Sequence, residues 1–205
     1  MDKIKLFCLS LLACFCVFVS CDDTVEPSDY DNWQERNIAY IDSIATVASI
    51  NADNSWKIFP ATGLVDTVDW DDEYYVYCKV LQVGDGIEHP DYTDTVLVNY
   101  SGRLIPTKTY PDGYIFDSSY DGELEPEFDV PVELPLDGTV PGFNTALQQM
   151  VAGKTLFSGD IWRVYIPANL GYGAKEKAGI PAYSTLIFDI NLVSFYPAST
   201  PQPKY

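Results

Sequence analysis

The chain of 205 residues has little of what bond-breaking enzymes use. His89 is its sole histidine and Cys14-Phe15-Cys16 has no partner ligands downstream, so a zinc site lacks the ligands it needs. Ser118-Ser119 lacks a paired histidine in its own motif, and hydrolytic chemistry has little support. Five cysteines do not make a disulfide framework, because Cys8, Cys14, Cys16 and Cys21 crowd the start and only Cys78 is internal. Cys78 falls in a strand pattern and reads as a small buried apolar group. Basic residues are scarce: 12 Lys+Arg face 30 Asp+Glu, a net charge of -18. Such a surface repels nucleic acid and anionic lipid, which excludes both as partners. The acids Asp69, Asp71, Asp72 and Glu73 lack the alternating spacing of a calcium loop and read as a solvated turn.

The start of the chain reads as a targeting segment. Lys3 and Lys5 precede an uncharged apolar run from Leu6 to Val19. That run is shorter than the ~18 residues a membrane-spanning helix needs, so residues 1–20 read as a signal peptide. Val19-Ser20-Cys21 resembles a bacterial lipoprotein cleavage site, which would leave Cys21 lipidated at the mature N-terminus. Phe18 departs from that pattern, where leucine is usual, and ordinary secretion is the alternative. Asp22-Asp23 resembles signals that route lipoproteins to the outer face of the outer membrane. The expected location is the cell envelope, lipid-anchored at the outer membrane, on its periplasmic or surface face.

Residues 21–29 form a tether. A helical extension is expected over 30–73, with Ser28 as N-cap and Trp33, Ile38, Ile41, Ile44, Ala45 and Ala48 as an apolar stripe ending near Ser49. The stripe either packs on its own domain, the favoured reading, or pairs two copies into a homodimer. Ile58-Phe59-Pro60 and Leu64–Val68 are short extended pieces. From Tyr74 to 196 the pattern is that of one domain: strands at Tyr75–Leu81, Val96–Leu104 and Asp160–Ile166, and a core strand at Thr185–Leu192 with Leu186, Phe188, Ile190 and Leu192 on one face. Ile105–Tyr114, rich in turn residues, is expected to project as a loop, and Asp121–Asp129 to form another. Prolines 131 and 135 make Val130–Leu136 at best an edge strand. One helix starts at Gly142, with Phe143, Ala146, Leu147 and Met150 on one face, and Gly153 ends it. Residues 197–205 are a tail. A tyrosine between two glycines, Gly171-Tyr172-Gly173, beside Ile180-Pro181 and the strand bearing Phe188, is how an apolar hollow with a polar donor on its rim would be built.

Four blocks in order carry a resemblance to a known family. Val96–Leu104, Phe116-Asp117-Ser118-Ser119, Val140–Met150, and IPANLGYG followed by GIP and STLIFDINL resemble the FKBP-type peptidyl-prolyl isomerases over about residues 74–194. The resemblance implies an α+β fold: a bent antiparallel β-sheet wrapped around one short α-helix, here with an N-terminal helical extension. It implies that proline-containing polypeptides are the substrates and that no cofactor or metal is required. It assigns Tyr100 and Phe116 to the pocket wall, Asp117 to the carboxylate beside it, and Phe143 to the floor, where most relatives have tryptophan. It assigns Tyr172 to the hydroxyl donor, Phe188 to the inner aromatic, Ile180 to an apolar lip and Val140 to a backbone contact with ligand. Val130, or Phe128 near it, is the expected remaining wall. On spacing alone Phe143 and Phe188 read rather as core residues, while Tyr100 and Tyr172 could be surface tyrosines and Asp117 a turn cap. Two other functional readings stand beside the enzyme: a non-catalytic, chaperone-like surface lipoprotein that binds proline segments, and a structural lipoprotein that kept the fold and lost the pocket.

Overall fold

The computed structural model describes residues 28–64 and 68–198. The signal segment, Cys21 and most of the C-terminal tail lie outside the described residues, as does the middle of the Leu64–Val68 piece.

Helix α1 spans Trp33–Ile50 and starts later than Ser28 would place it. The Ser28 hydroxyl accepts from the Tyr30 N–H at 3.2 Å, and its own N–H donates to the Asp31 carboxylate at 3.0 Å. These bonds close a turn ahead of the helix, so Ser28 does not cap it. Asn32 and Asn51, both in the left-handed region, bracket α1 instead, a conformation that asparagine tolerates. The buried stripe is Trp33, Asn37, Ile41, Ala45 and Ala48, while Ile38 faces outward and Asn37 lies inside.

Seven strands make one antiparallel sheet among the described residues: β1 (Trp56–Pro60), β2 (Tyr75–Gln82), β3 (Thr95–Arg103), β4 (Ile115–Ser118), β5 (Val132–Pro135), β6 (Ile161–Ile166) and β7 (Leu186–Tyr196). Their order is β1-β2-β6-β7-β3-β4, with β5 beside β4 on the same flank of β3. The boundary expected at residue 74 therefore falls between two paired strands, because β1 joins the sheet through β2.

Period two gives each central strand an inner and an outer face. Cys78, Val164, Phe188 and Gly102 are cross-strand neighbours on the inner face. Helix α2 (Pro141–Leu147) lies against that face through Phe143, Ala146 and Leu147, with Met150 buried just beyond it. Proline at its first position fixes φ where no N–H is needed. The helix stops well before Gly153, because the Gln149 and Met150 N–H groups tighten to carbonyls three residues back. The close approach of helix and sheet leaves no room for a side chain at Gly142, where a Cβ would run into Ile166.

Helix α1 covers the outer face. Tyr40 meets Tyr165 at a ring separation of 6.3 Å, and Trp56 stacks on Tyr165 at 5.7 Å. Its buried residues belong to the same apolar core as the sheet. The 105–114 loop is exposed at Pro106 and over 108–112 but tied down at its base. Ile105 and Thr107 are buried, the Arg36 guanidinium donates to the Pro106 carbonyl at 3.2 Å, and the Thr109 N–H donates to Asp29 at 3.3 Å. The extension supplies polar partners that the loop would otherwise find in water.

If α1 is part of the core, Ile41→Ala should destabilise the protein by about 2–4 kcal/mol in one cooperative denaturant transition. Ile38→Ala should shift it by less than about 0.5 kcal/mol. Equal small effects at both positions would mark α1 as a separate arm.

Candidate functional site

The site forms where β3, β7 and the start of α2 converge. Phe188 is its hub. Its ring lies 6.1 Å from Tyr100, 5.6 Å from Phe116 and 5.0 Å from Phe143, the last two edge-to-face. Tyr100 also meets Phe143 edge-on at 6.1 Å. Such pairs contribute beyond simple burial because ring edges are positive and faces negative. Gly102 lets them meet. A Cβ there would lie 2.5 Å from Phe188 and 2.7 Å from Phe116, closer than any side chain allows.

A cavity of about 520 Å³ opens beside this cluster. Tyr100, Asp117, Val140, Phe143, Tyr172 and Phe188 all line it. Phe116 packs behind Phe188 and is not in the lining. Val140 sits immediately before α2, its carbonyl accepting the Asn144 N–H at 3.1 Å. The Tyr100 hydroxyl donates to Asp117 at 2.7 Å. Burial first, and then that carboxylate, push the Tyr100 phenol well above its ordinary value, so it stays a protonated donor. With Tyr100 committed to Asp117, Tyr172 is the other tyrosine at the cavity wall.

Two expected positions fall elsewhere. Val130 is 79% exposed and Phe128 76%, and neither lines the cavity. The chain joins the ladder only at Val132, so strand parity does not govern them. Leu134, opposite Val96 in the ladder, supplies that wall. Ile180 is buried behind the rim, where its N–H and carbonyl exchange bonds with Lys177, and it is not in the lining. Lys177 lines the cavity instead, its ammonium 5.4 Å from the centre of the Tyr172 ring. Sequence reasoning missed Gly102, Leu134 and Lys177. A glycine inside an unbroken strand pattern was the available signal for the first, and period two along β5 for the second. Nothing in the spacing marks Lys177.

An antiparallel sheet wrapped on a short helix, with an aromatic hollow at the helix start, defines the class of fold, and comparison with known proteins gives the family. Residues 86–193 match the model of the FKBP-type peptidyl-prolyl cis-trans isomerase family. The chain belongs to that family. FkpA of Escherichia coli K12 is 37% identical over 127 residues, 62% of this chain and 40% of that protein. The isomerase Mip of Coxiella burnetii is 38% identical over 117 residues, 57% of this chain and 43% of that protein. The chain thus aligns with less than half the length of either relative. The crystal structure of E. coli FkpA superposes with a TM-score of 0.54 at 28% identity, over 82% of this chain and 63% of that one. A Pseudomonas syringae isomerase structure shares the fold, with a TM-score of 0.55 at 24% identity over 83% of this chain and 98% of that one.

Gly102→Ala should force Phe116 and Phe188 apart. A loss of about 1–3 kcal/mol in stability and a changed near-ultraviolet circular dichroism band are expected. An unchanged band would show that the rings do not depend on the missing side chain.

Proposed function

We propose that this protein is a peptidyl-prolyl cis-trans isomerase that turns Xaa-Pro bonds in exported or envelope polypeptides. The observation that carries the reading is the aromatic cavity at the start of α2, lined by Tyr100, Phe143, Tyr172 and Phe188. The reaction needs no nucleophile, base or metal, in keeping with a chain that has one histidine. Its barrier, about 18–20 kcal/mol, is the loss of amide resonance as the bond twists. The twisted amide is less polar than the planar one, so a dry aromatic hollow favours it. In this mechanism the proline ring packs against Phe143 and Phe188, the Val140 backbone N–H and the Tyr172 hydroxyl hold substrate carbonyls, and Tyr100 and Asp117 fix the wall. One neutral hydrogen bond contributes about 0.5–1.5 kcal/mol and each factor of ten needs about 1.4, so desolvation must supply most of a large acceleration.

The location belongs to the same proposal. Relatives include a protein named outer membrane protein MIP from Legionella longbeachae, 38% identical over 117 residues. With the signal peptide and lipidated Cys21 expected from the sequence, this supports an envelope protein held to the membrane by lipid. No described helix is long and apolar enough to cross a membrane. A homodimer through α1 would have to use its outward residues Ile38, Val47 and Ile50, since the opposite face lies on the sheet.

The test is isomerisation of short Xaa-Pro peptides by the purified protein. Tyr172→Phe should lower kcat/KM about three- to tenfold, the equivalent of one hydrogen bond. Phe188→Ala should lower it further, with folding verified by circular dichroism because the truncation alone costs about 3–5 kcal/mol. A folded protein that binds proline peptides without speeding their isomerisation would be the non-catalytic binder instead.

A further inference from the structure

We propose that α1 is a positioning element of the active site: through Asn37 and Trp33 it fixes the returning limb of the segment between β6 and β7, and with it the placement of Tyr172. The proposal rests on the isomerase reading for its kinetic test alone.

That segment leaves β6 at Ile166, carries Tyr172 and Lys177, and returns to β7 through Pro181–Thr185. A long connection with no ladder of its own is ordinarily mobile. One bond ties its two limbs beside the site: the Tyr183 N–H donates to the Gly173 carbonyl at 2.8 Å, one residue past Tyr172. The tie puts Tyr183 at φ 61°, in the left-handed region that bulky side chains disfavour. Such a conformation persists only where the surroundings over-determine it.

The surroundings here are α1. The Ser184 hydroxyl accepts from the Trp33 indole N–H at 2.9 Å and donates to the Pro181 carbonyl at 2.6 Å. The Thr185 N–H donates to the Asn37 side-chain oxygen at 2.7 Å. The Asn37 amide is oriented in turn by its own NH₂, which donates to the Trp33 carbonyl at 2.7 Å. Asn37, Trp33, Ser184 and Thr185 are all buried. Losing one partner there leaves a group unpaired rather than exchanged for water. Asn37 is also the one polar residue in the buried stripe of α1, where an apolar side chain would pack without a polar group to satisfy. Its bond to Thr185 accounts for its presence. The two residues that follow the strained Tyr183 are therefore both held by the helix.

The experiment measures kcat/KM for an Xaa-Pro peptide in Asn37→Ala, Tyr172→Phe and the double variant, with amide exchange followed at Tyr183 and Ile190. Asn37→Ala should lose about three- to tenfold, chiefly in kcat. In the Tyr172→Phe background the same change should cost less than about twofold, because the two act through one group. Exchange at Tyr183 should accelerate while Ile190, in the middle of β7, keeps its protection. Trp33→Phe keeps an aromatic ring while removing the indole donor and part of its buried area, and should show the same pattern if Asn37→Ala does not fold. A loss that persists undiminished in the Tyr172→Phe background, exchange that accelerates equally at Ile190, or unchanged exchange at Tyr183 would each overturn the proposal. A wild-type protein without isomerase activity would sink the functional reading, and the exchange measurement would then decide the positioning role alone.

Discussion

The site depends on the contact between Phe188 and three other rings across two strands and a helix. Phe188 is held on both sides, since β7 pairs with β6 and with β3. Its ring therefore cannot drift, and the others are placed around it. Gly102 on β3 withholds a side chain so that Phe116 can pack edge-on from behind. Helix α2 enters with Pro141 fixing its first turn, which delivers Phe143 from the helix side and Val140 at the cavity edge. The hollow is what remains when these rings have met. Phe143 closes one side of the cavity with an apolar ring set edge-on to Phe188.

The two faces of β7 divide the labour. Phe188 looks into the core, and its neighbour Asp189 looks out and accepts from Arg163 at 2.6 and 2.9 Å and from Arg103 at 2.9 Å. The bond to Asp189 pushes the Arg163 guanidinium above its ordinary value. Two guanidiniums on one carboxylate join β6 and β3 across β7, the strand between them. In a chain of net charge -18 this is a local concentration of positive charge, and Asp189 sits at its centre.

Much of this was legible in the sequence where periodicity carries the signal. Alternation along β7 located the inner face, and the i, i+3, i+4, i+7 spacing of Phe143, Ala146, Leu147 and Met150 located the short helix. What failed were the positions set by long-range partners. Asn37 reads as a break in an apolar stripe until Thr185 appears opposite it. The ties of the 105–114 loop to Arg36 and Asp29 were not legible either, because its prolines and glycine are local information and those partners are not. Val130 was a matter of register: the ladder begins at Val132, and a side chain outside the ladder inherits no face. Lys177 had no local signature at all.

The margins of the sheet have a consequence for solubility. Its outermost strands are short: β1 ends in Pro60, β5 ends in Pro135 with Pro131 just before it, and β4 has four residues. An open strand edge is a template on which another extended chain can add itself, and proline removes the N–H groups that such pairing needs. For a protein whose proposed clients are unfolded, proline-bearing polypeptides, blunt borders matter as much as an open cavity. Such borders would leave the aromatic hollow as the place of capture for those proposed clients, where side chains and not backbone ladders make the contact. Under the proposed function, release would then be a matter of leaving a pocket, and the protein's own edges would not seed aggregation.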